Sequence, residues 1–377
     1  MTVPPSIPLS ILDLSPISAG SDAATALRNT VDLAQHAERW GYRRYWLAEH
    51  HFVAVACSRP EIVAGQVAAA TSTIRVGAAA VQLGQTTALA VTERFGILAS
   101  YHPGRIDMGV GRSQQRRREA GAAPKPKQDK PAPQWREVAG VVIPPPFDQS
   151  ALLRSDQMRA QLSVLTQPGA EAPDFADQIA DIEAMLAGEF RVGEHPVHVV
   201  PAEDTDLVPW IFGSSKGQSA RVAAARGLPF VASYHITPGS ALDAVEVYRA
   251  NFQPSRHLRE PYVVVSADVV VADDSATAHA LAASYGHWVY AIRTGAGAPP
   301  YPDPATVEPL RDEQRAVVAD RLATQFVGDP DEVAHRLAAL QRYSGADELV
   351  VTSVTHSHAD RLRSHELLAR RWGITNG

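Results

Sequence analysis

LSILDL, Leu9 to Leu14, is short and apolar and runs straight into Ser15-Pro16, as a buried strand does when turn residues end it. Ser21 and Asp22 then offer caps to a helix in which Leu27, Val31, Ala34 and Trp40 recur near helical spacing, and Gly41 stops it. This strand-plus-helix unit repeats outward along the chain. Tyr42 to Leu47 reads as strand and Glu61 to Ser72 as helix. Ile74 to Val81 is a third strand, Thr87 to Tyr101 its helix, and Arg105 to Val110 a fourth strand.

The rhythm breaks at Arg112 to Pro146, which contains PKPKQDKPAPQ and the triplet Pro144, Pro145, Pro146 and reads as an inserted loop. Helical stretches at Leu152 to Leu165 and Asp174 to Leu186, and a hairpin from Phe190 to Val200 around Gly193, lead back to strand at Trp210 to Phe212. Helix Gln218 to Arg226, strand Pro229 to Ser233, helix Ser240 to Phe252, strand Tyr262 to Val271 and helix Ala276 to Tyr290 follow. After a Pro/Gly-rich loop, Arg293 to Pro309, come helices near Glu313 to Gln325 and Pro330 to Arg342. Strand Glu348 to Val354 and helix Ala359 to Trp372 close the chain.

Eight short β-rich segments alternating with amphipathic helices predict an α/β chain folded as a (β/α)8 TIM barrel. Residues 1–377 form one domain in this reading, with insertions after strands four and seven at about 112–150 and 293–325. The structural alternative is an open doubly wound sheet, whose dinucleotide fingerprint is missing: Gly109-Val110-Gly111 lacks the third glycine. Thirty-five Lys and Arg against 41 Asp and Glu leave a net charge of −6, which offers no global field for nucleic acid or an anionic membrane. Cys57, the single cysteine, can form no internal disulfide and no thiolate metal site, so a reducing compartment, the cytoplasm, is expected. No apolar run approaches the ~18 residues of a membrane span, and the start of the chain lacks a basic secretory n-region. Small-molecule chemistry is the expectation that remains.

Barrel chemistry sits at the C-terminal ends of strands. Glu49-His50-His51 follows the second strand, where the histidines can move a proton or hydrogen-bond a developing oxyanion; a loop pair making only local bonds is the plainer alternative. Adjacent histidines in extended chain point to opposite faces and suit a metal poorly. His356 and His358 share a face and suit one better, but lack evident carboxylate partners. Gly213-Ser214-Ser215-Lys216-Gly217-Gln218-Ser219 lies between a strand and a helix, as a phosphate seat at a helix start would, or as a plain serine cap. Arg112, past the fourth strand, is a candidate charged partner for that phosphate.

Taken together, AEHH (Ala48 to His51), STIRVGAAAV (Ser72 to Val81), HPGRIDMGVGR (His102 to Arg112), GSSKGQSA (Gly213 to Ala220) and the closing GADELVVTSVTHSHADRLRSHELLA (Gly345 to Ala369) resemble the bacterial luciferase-like, flavin-dependent monooxygenase family, in its FMN-type, non-luminescent subgroup. The resemblance implies a barrel that binds reduced FMN (FMNH2), forms a C4a-peroxyflavin with O2 and passes one oxygen atom to an organic substrate. It implies catalytic roles for His50, His51 and Glu49. Ala79 and Ala80 match a place where the family often has a non-prolyl cis peptide under the isoalloxazine. Arg112, Ser214, Ser215, Gly217, Gln218 and Ser219 match its phosphate site, and Asp13, Tyr234, His235 and Arg293 the rim of its substrate pocket.

Two departures matter. Gly111 stands where the light emitters carry a reactive cysteine, which removes support for an aldehyde-oxidising role. The insertion carries Arg116, Arg117, Arg118, Lys125, Lys127 and Lys130, readable as a substrate gate or as a solvated loop. The expected activity is oxygenation of a small apolar or aromatic metabolite, of the kind used in natural-product tailoring. The expected partners are a separate NAD(P)H:flavin reductase and a second copy of the chain, docked through the helices after strands two and three. A deazaflavin (F420)-dependent reductase or dehydrogenase of the same superfamily is the nearest alternative. A metal-dependent barrel hydrolase and a non-catalytic flavin-binding protein come from other classes.

Overall fold

In the structure, a computed structural model, residues 7–112, 134–171, 173–295 and 297–375 are described. The basic residues from Arg116 to Lys130 lie outside them. Eight parallel strands carry the fold: β1 (Leu9–Asp13), β2 (Arg44–Leu47), β3 (Arg75–Ala78), β4 (Ile106–Gly111), β5 (Pro209–Gly213), β6 (Phe230–Ala232), β7 (Val263–Val271) and β8 (Glu348–Thr352). Each pairs with the next, β8 pairs with β1 and β4 with β5, so the sheet closes on itself as a (β/α)8 barrel. All eight sit where the alternation of strand and helix predicts them.

Period-two alternation decides what fills the barrel and what faces the helices. Leu12, Trp46, Val231, Val264 and Val350 pack together inside. Their neighbours Ile11, Tyr45, Phe230, Val263 and Leu349 belong to the layer between strands and helices. Trp46 sets its edge against Trp210 and Phe212, with ring centroids 5.5 and 5.3 Å away. Gly77 makes this possible, because a Cβ there would lie 2.6 Å from the Trp46 ring.

Several helices start on side-chain caps, among them Asp22 for α1 (Ala23–Arg39), Thr87 for α3 (Ala88–Tyr101) and Ser357 for the last helix, His358–Trp372. Helix α2 (Pro60–Ala70) begins on a proline instead.

The structure adds short elements to the sequence reading, among them a hairpin and one further strand. Arg136–Val138 and Val141–Ile143 pair as an antiparallel hairpin inside the stretch expected to be loop. Phe326–Gly328 extends the sheet beside Val269–Val271 at the far end of β7. Segments of three residues are too short to show a period, which is why neither was visible. Among the described residues no helix is long and apolar enough to cross a membrane.

Candidate active site

The strand ends open into a cavity of about 410 Å³. Glu49 and His50 reach it from beyond β2, Ala79 and Ala80 from β3, Gly213 and Ser214 from β5, and His235 from β6. Residues 146–150, from the first insertion, close it. A second cavity of about 280 Å³ adjoins the first, sharing Leu14, His50, Gln82, Phe147 and His235 with it. It runs outward under the helix Asp156–Ser163 and against Trp288, Val289 and Ile292.

The loop after β2 is pinned through Glu49, which is 5 % exposed. One carboxylate oxygen accepts from the Gln82 amide at 2.9 Å. The other takes His51 Nε2 at 2.8 Å and the Arg59 guanidinium at 3.2 Å. Glu49 thus ties the histidine loop to the chain just past the Ala79–Ala80 peptide, which is cis. His50 is held through its backbone amide on the Cys57 carbonyl at 3.1 Å and lies in the wall of both cavities. His235 is buried, its Nδ1 2.5 Å from Ser266 Oγ. Burial, then the charges of Arg321 and His50, push its pKa down to about 3, so the imidazole stays neutral.

Beyond β5 the chain turns at Ser214, whose carbonyl accepts from the hydroxyls of Ser240 at 2.6 Å and Thr237 at 3.2 Å. The helix Gln218–Ala225 then begins on Gly217, and no side chain caps it. The cap position is thus a glycine, which has no side chain to offer the first amides of the helix, and such a helix start suits an anion. A Cβ at Gly217 would lie 3.3 Å from Ser215 Oγ and 3.9 Å from Arg112 Nη1, so the serine and the arginine converge on the bare glycine.

Not every expected residue faces this site. Gln218 Nε2 turns to the Asp174 carboxylate at 2.7 Å, and Ser219 is buried behind Gly213. Asp13 lines neither cavity. It is enclosed against Tyr45 Oη at 2.6 Å, the Ser15 amide at 2.7 Å and Arg361 Nη1 at 3.1 Å. Tyr234 also points away, donating to the Val142 carbonyl at 2.6 Å. Arg293 does border the second cavity, where it pairs with Asp320 and lies over the Phe147 ring, 3.9 Å from its centroid. His356 and His358 do not converge on a shared ion: one sits on the Ala19 carbonyl at 3.0 Å, the other on Asp32 at 2.8 Å. Among the described residues no group of three or more His, Cys, Asp or Glu is arranged to hold a metal.

Several wall residues escaped the sequence reading. Asp268 and Arg321 both border the second cavity. Asp268 accepts from Gln325 Nε2 at 3.0 Å, and burial lifts its pKa to about 6 although Arg321 pulls the other way. Arg321 donates to Tyr285 Oη at 2.5 Å. Ser266 and Asp268 did leave a signal, two polar residues on one face of the otherwise apolar strand VVVSADVVV. Arg321 left none, because it arrives from a helix 53 residues further on.

Fold and site define a (β/α)8-barrel enzyme with its polar groups gathered at the C-terminal rim, where this architecture does its chemistry. The chain belongs to the luciferase-like monooxygenase family, which matches residues 7–142 and 170–348, and is therefore an oxidoreductase. A luciferase-like monooxygenase of Escherichia coli K12 is 31 % identical over 365 residues, 96 % of each chain. The N-acetyl-S-alkylcysteine monooxygenase of Bacillus subtilis is 47 % identical over 108 residues, 28 % of this chain and 32 % of that one. Apo-MsnO8 superposes with a TM-score of 0.74 at 28 % identity, covering 98 % of both chains. Two more distant structures share the fold, each with a TM-score of 0.59. One is the 3,6-diketocamphane monooxygenase oxygenating component of Pseudomonas putida in complex with FMN (17 % identity, 97 % of each chain). The other is an F420-dependent secondary alcohol dehydrogenase (11 % identity, 97 % of this chain and 99 % of that one).

Proposed function

We propose that this protein is a reduced-FMN-dependent monooxygenase that transfers one atom of O2 to a small, largely apolar metabolite and receives FMNH2 from a separate NAD(P)H:flavin reductase. The observation that carries the reading is the convergence of Arg112, Ser215 and the uncapped helix start at Gly217 beside a cavity that holds His50 and His235. Those residues fit a phosphorylated flavin. The arginine and the helix amides suit a phosphate dianion, and Ala79, Ala80 and Gly111 bring little side-chain bulk to the wall where a planar ring must lie.

Reduced FMN, when bound, supplies the electrons that activate O2. The protein's own contribution is positional. His50, on the boundary between the two cavities, is placed to exchange a proton between them. Neutral His235 adds a hydrogen-bonding group without adding charge. Phe147 and the 146–150 segment cover the junction and exclude water. A second copy of the chain has a place to dock, since Ile62 on α2 and Ile97 and Tyr101 on α3 stand exposed on the helices expected to form that face. The solution mass is then twice 40.5 kDa.

The test is anaerobic titration with FMNH2, followed by mixing with O2 in a stopped-flow spectrometer. Tight binding and a transient absorbance band distinct from both reduced and oxidised flavin are expected. Binding with immediate reoxidation and no such band refutes oxygen transfer. Binding of reduced F420 in place of FMNH2 makes the chain a deazaflavin-dependent reductase instead.

A further inference from the structure

We propose that the helix Asp156–Ser163 is the specificity element of the substrate site: its apolar stripe, led by Met158 and Leu162, packs on an uncharged hydrocarbon part of the substrate in place of the protein's own core. The inference rests on the reading above, in which the second cavity holds the substrate.

Met158, Gln161, Leu162 and Leu165 recur at i, i+3, i+4 and i+7, the spacing of a helix face that packs on a core. All four border the second cavity, together with Leu152 and Leu153 from the short helix before them, Ser150–Leu153. The helix is a formed element, since Ser155 caps it by accepting from the Met158 amide at 3.2 Å. Its charged residues turn the other way, Asp156 and Arg159 pairing with each other on the exposed side.

Yet the stripe has no core beneath it. No residue of 145–165 is buried. Leu152, Leu153, Met158, Leu162 and Leu165 belong to neither of the two hydrophobic clusters of the fold. The facing wall does: Leu14, Val55, Trp288, Val289 and Ala298 are buried members of the cluster inside the barrel mouth. Between the two surfaces lies the cavity of about 280 Å³. A helix of two turns draws its stability from packing its apolar face, and here the partner that the space admits is a ligand. A hydrocarbon chain in the cavity touches the inner cluster on one side and Met158 and Leu162 on the other. Both side chains keep accessible surface, so a bound molecule can reach them. A charged group under the same stripe would lose its hydration without gaining a partner from the helix, because only the neutral Gln157 and Gln161 add polarity there.

Titration calorimetry of the full-length chain with 2-heptanone and 2-nonanone, without flavin or O2, tests this. Each methylene taken out of water tightens binding about fourfold, so 2-nonanone is expected to bind about 15-fold more tightly than 2-heptanone. Met158→Gln combined with Leu162→Gln keeps helix propensity and should weaken 2-nonanone about 10-fold, while Tm stays within about 1 °C of the original. Ala160→Gln, on the exposed side of the same helix, should change neither. Saturating 2-nonanone should also slow trypsin cleavage after Arg159 about fivefold, read by mass spectrometry. A larger Tm loss in the double variant shows that the stripe packs on protein and overturns the proposal. So does unaltered affinity in that variant, an equal weakening by Ala160→Gln, cleavage that ignores the ligand, or no saturable binding of 2-nonanone. Because no oxygenation is measured, failure of the flavin chemistry and failure of this inference are separate results.

Discussion

Asp13→Asn separates two roles that its position in the chain leaves confounded. As the last residue of β1 it stands at the catalytic end of a barrel strand, but its side chain is enclosed with Arg361, which is 3 % exposed. Burial opposes the charge of Asp13, while Arg361, Tyr45 and the Ser15 amide hold its pKa below the ordinary carboxylate value. Asparagine keeps the shape, removes the charge and points an N–H group at a site furnished with donors. The buried guanidinium of Arg361 is then left uncompensated, an imbalance that costs about 3–5 kcal/mol when one partner of such a pair is removed. With an unfolding entropy of about 2.1 cal/mol/K per residue, the 377 residues total roughly 0.8 kcal/mol/K, so Tm should fall by about 4–6 °C.

Differential scanning calorimetry reads this directly, and flavin titration below the transition should show an affinity within twofold of the unaltered chain. Asp13→Leu combined with Arg361→Met should recover part of the loss, because no charge is then stranded. A Tm within about 1 °C of the original, together with weakened ligand binding, would refute the structural role and return Asp13 to the pocket.

Arg112→Met should weaken FMN about 10- to 100-fold and leave riboflavin, which has no phosphate, unchanged. Fluorescence titration of both flavins checks it, and equal loss for the two would place the arginine against the ring system instead. His235 sets a pH dependence. Its pKa is depressed from 6.5 to about 3, so its contribution to stability is complete above pH 6.5. The contribution is lost as pH falls toward 3, by about 1.4 kcal/mol per pH unit, as the unfolded chain takes up the proton. His235→Gln should lose stability less steeply between pH 7 and 5 in urea unfolding, and parallel slopes for the two proteins would contradict the neutral buried ring.

The barrel was legible from residue order alone because both of its periods are local. Alternating apolar strands and amphipathic helices announce themselves within a dozen residues, and Ser15-Pro16, Asp22 and Gly41 mark where elements end. The positions of the candidate residues at the rim were legible for the same reason. His50, Arg112 and the Gly-Ser turn follow strands directly, and whatever follows a barrel strand lies at the catalytic end.

Which way each side chain points was set by strand parity and by contacts between distant segments. Leu12 and Leu14 face the barrel interior, so Asp13 between them must face the helices and meets Arg361, 348 residues away in sequence. Gln218 was drawn off by Asp174, the cap of another helix. The second cavity brings Gln85, Asp268 and Arg321 from three unconnected elements, a turn, a strand and a helix. No local pattern marks them, since a polar residue on an exposed turn and one sealed into a cavity wall look alike until the chain has closed around them. The sequence by itself determined the architecture and the end of the barrel at which the candidate residues gather. Only the tertiary structure decided which side chains meet there, because burial and pairing depend on the neighbours that folding brings together.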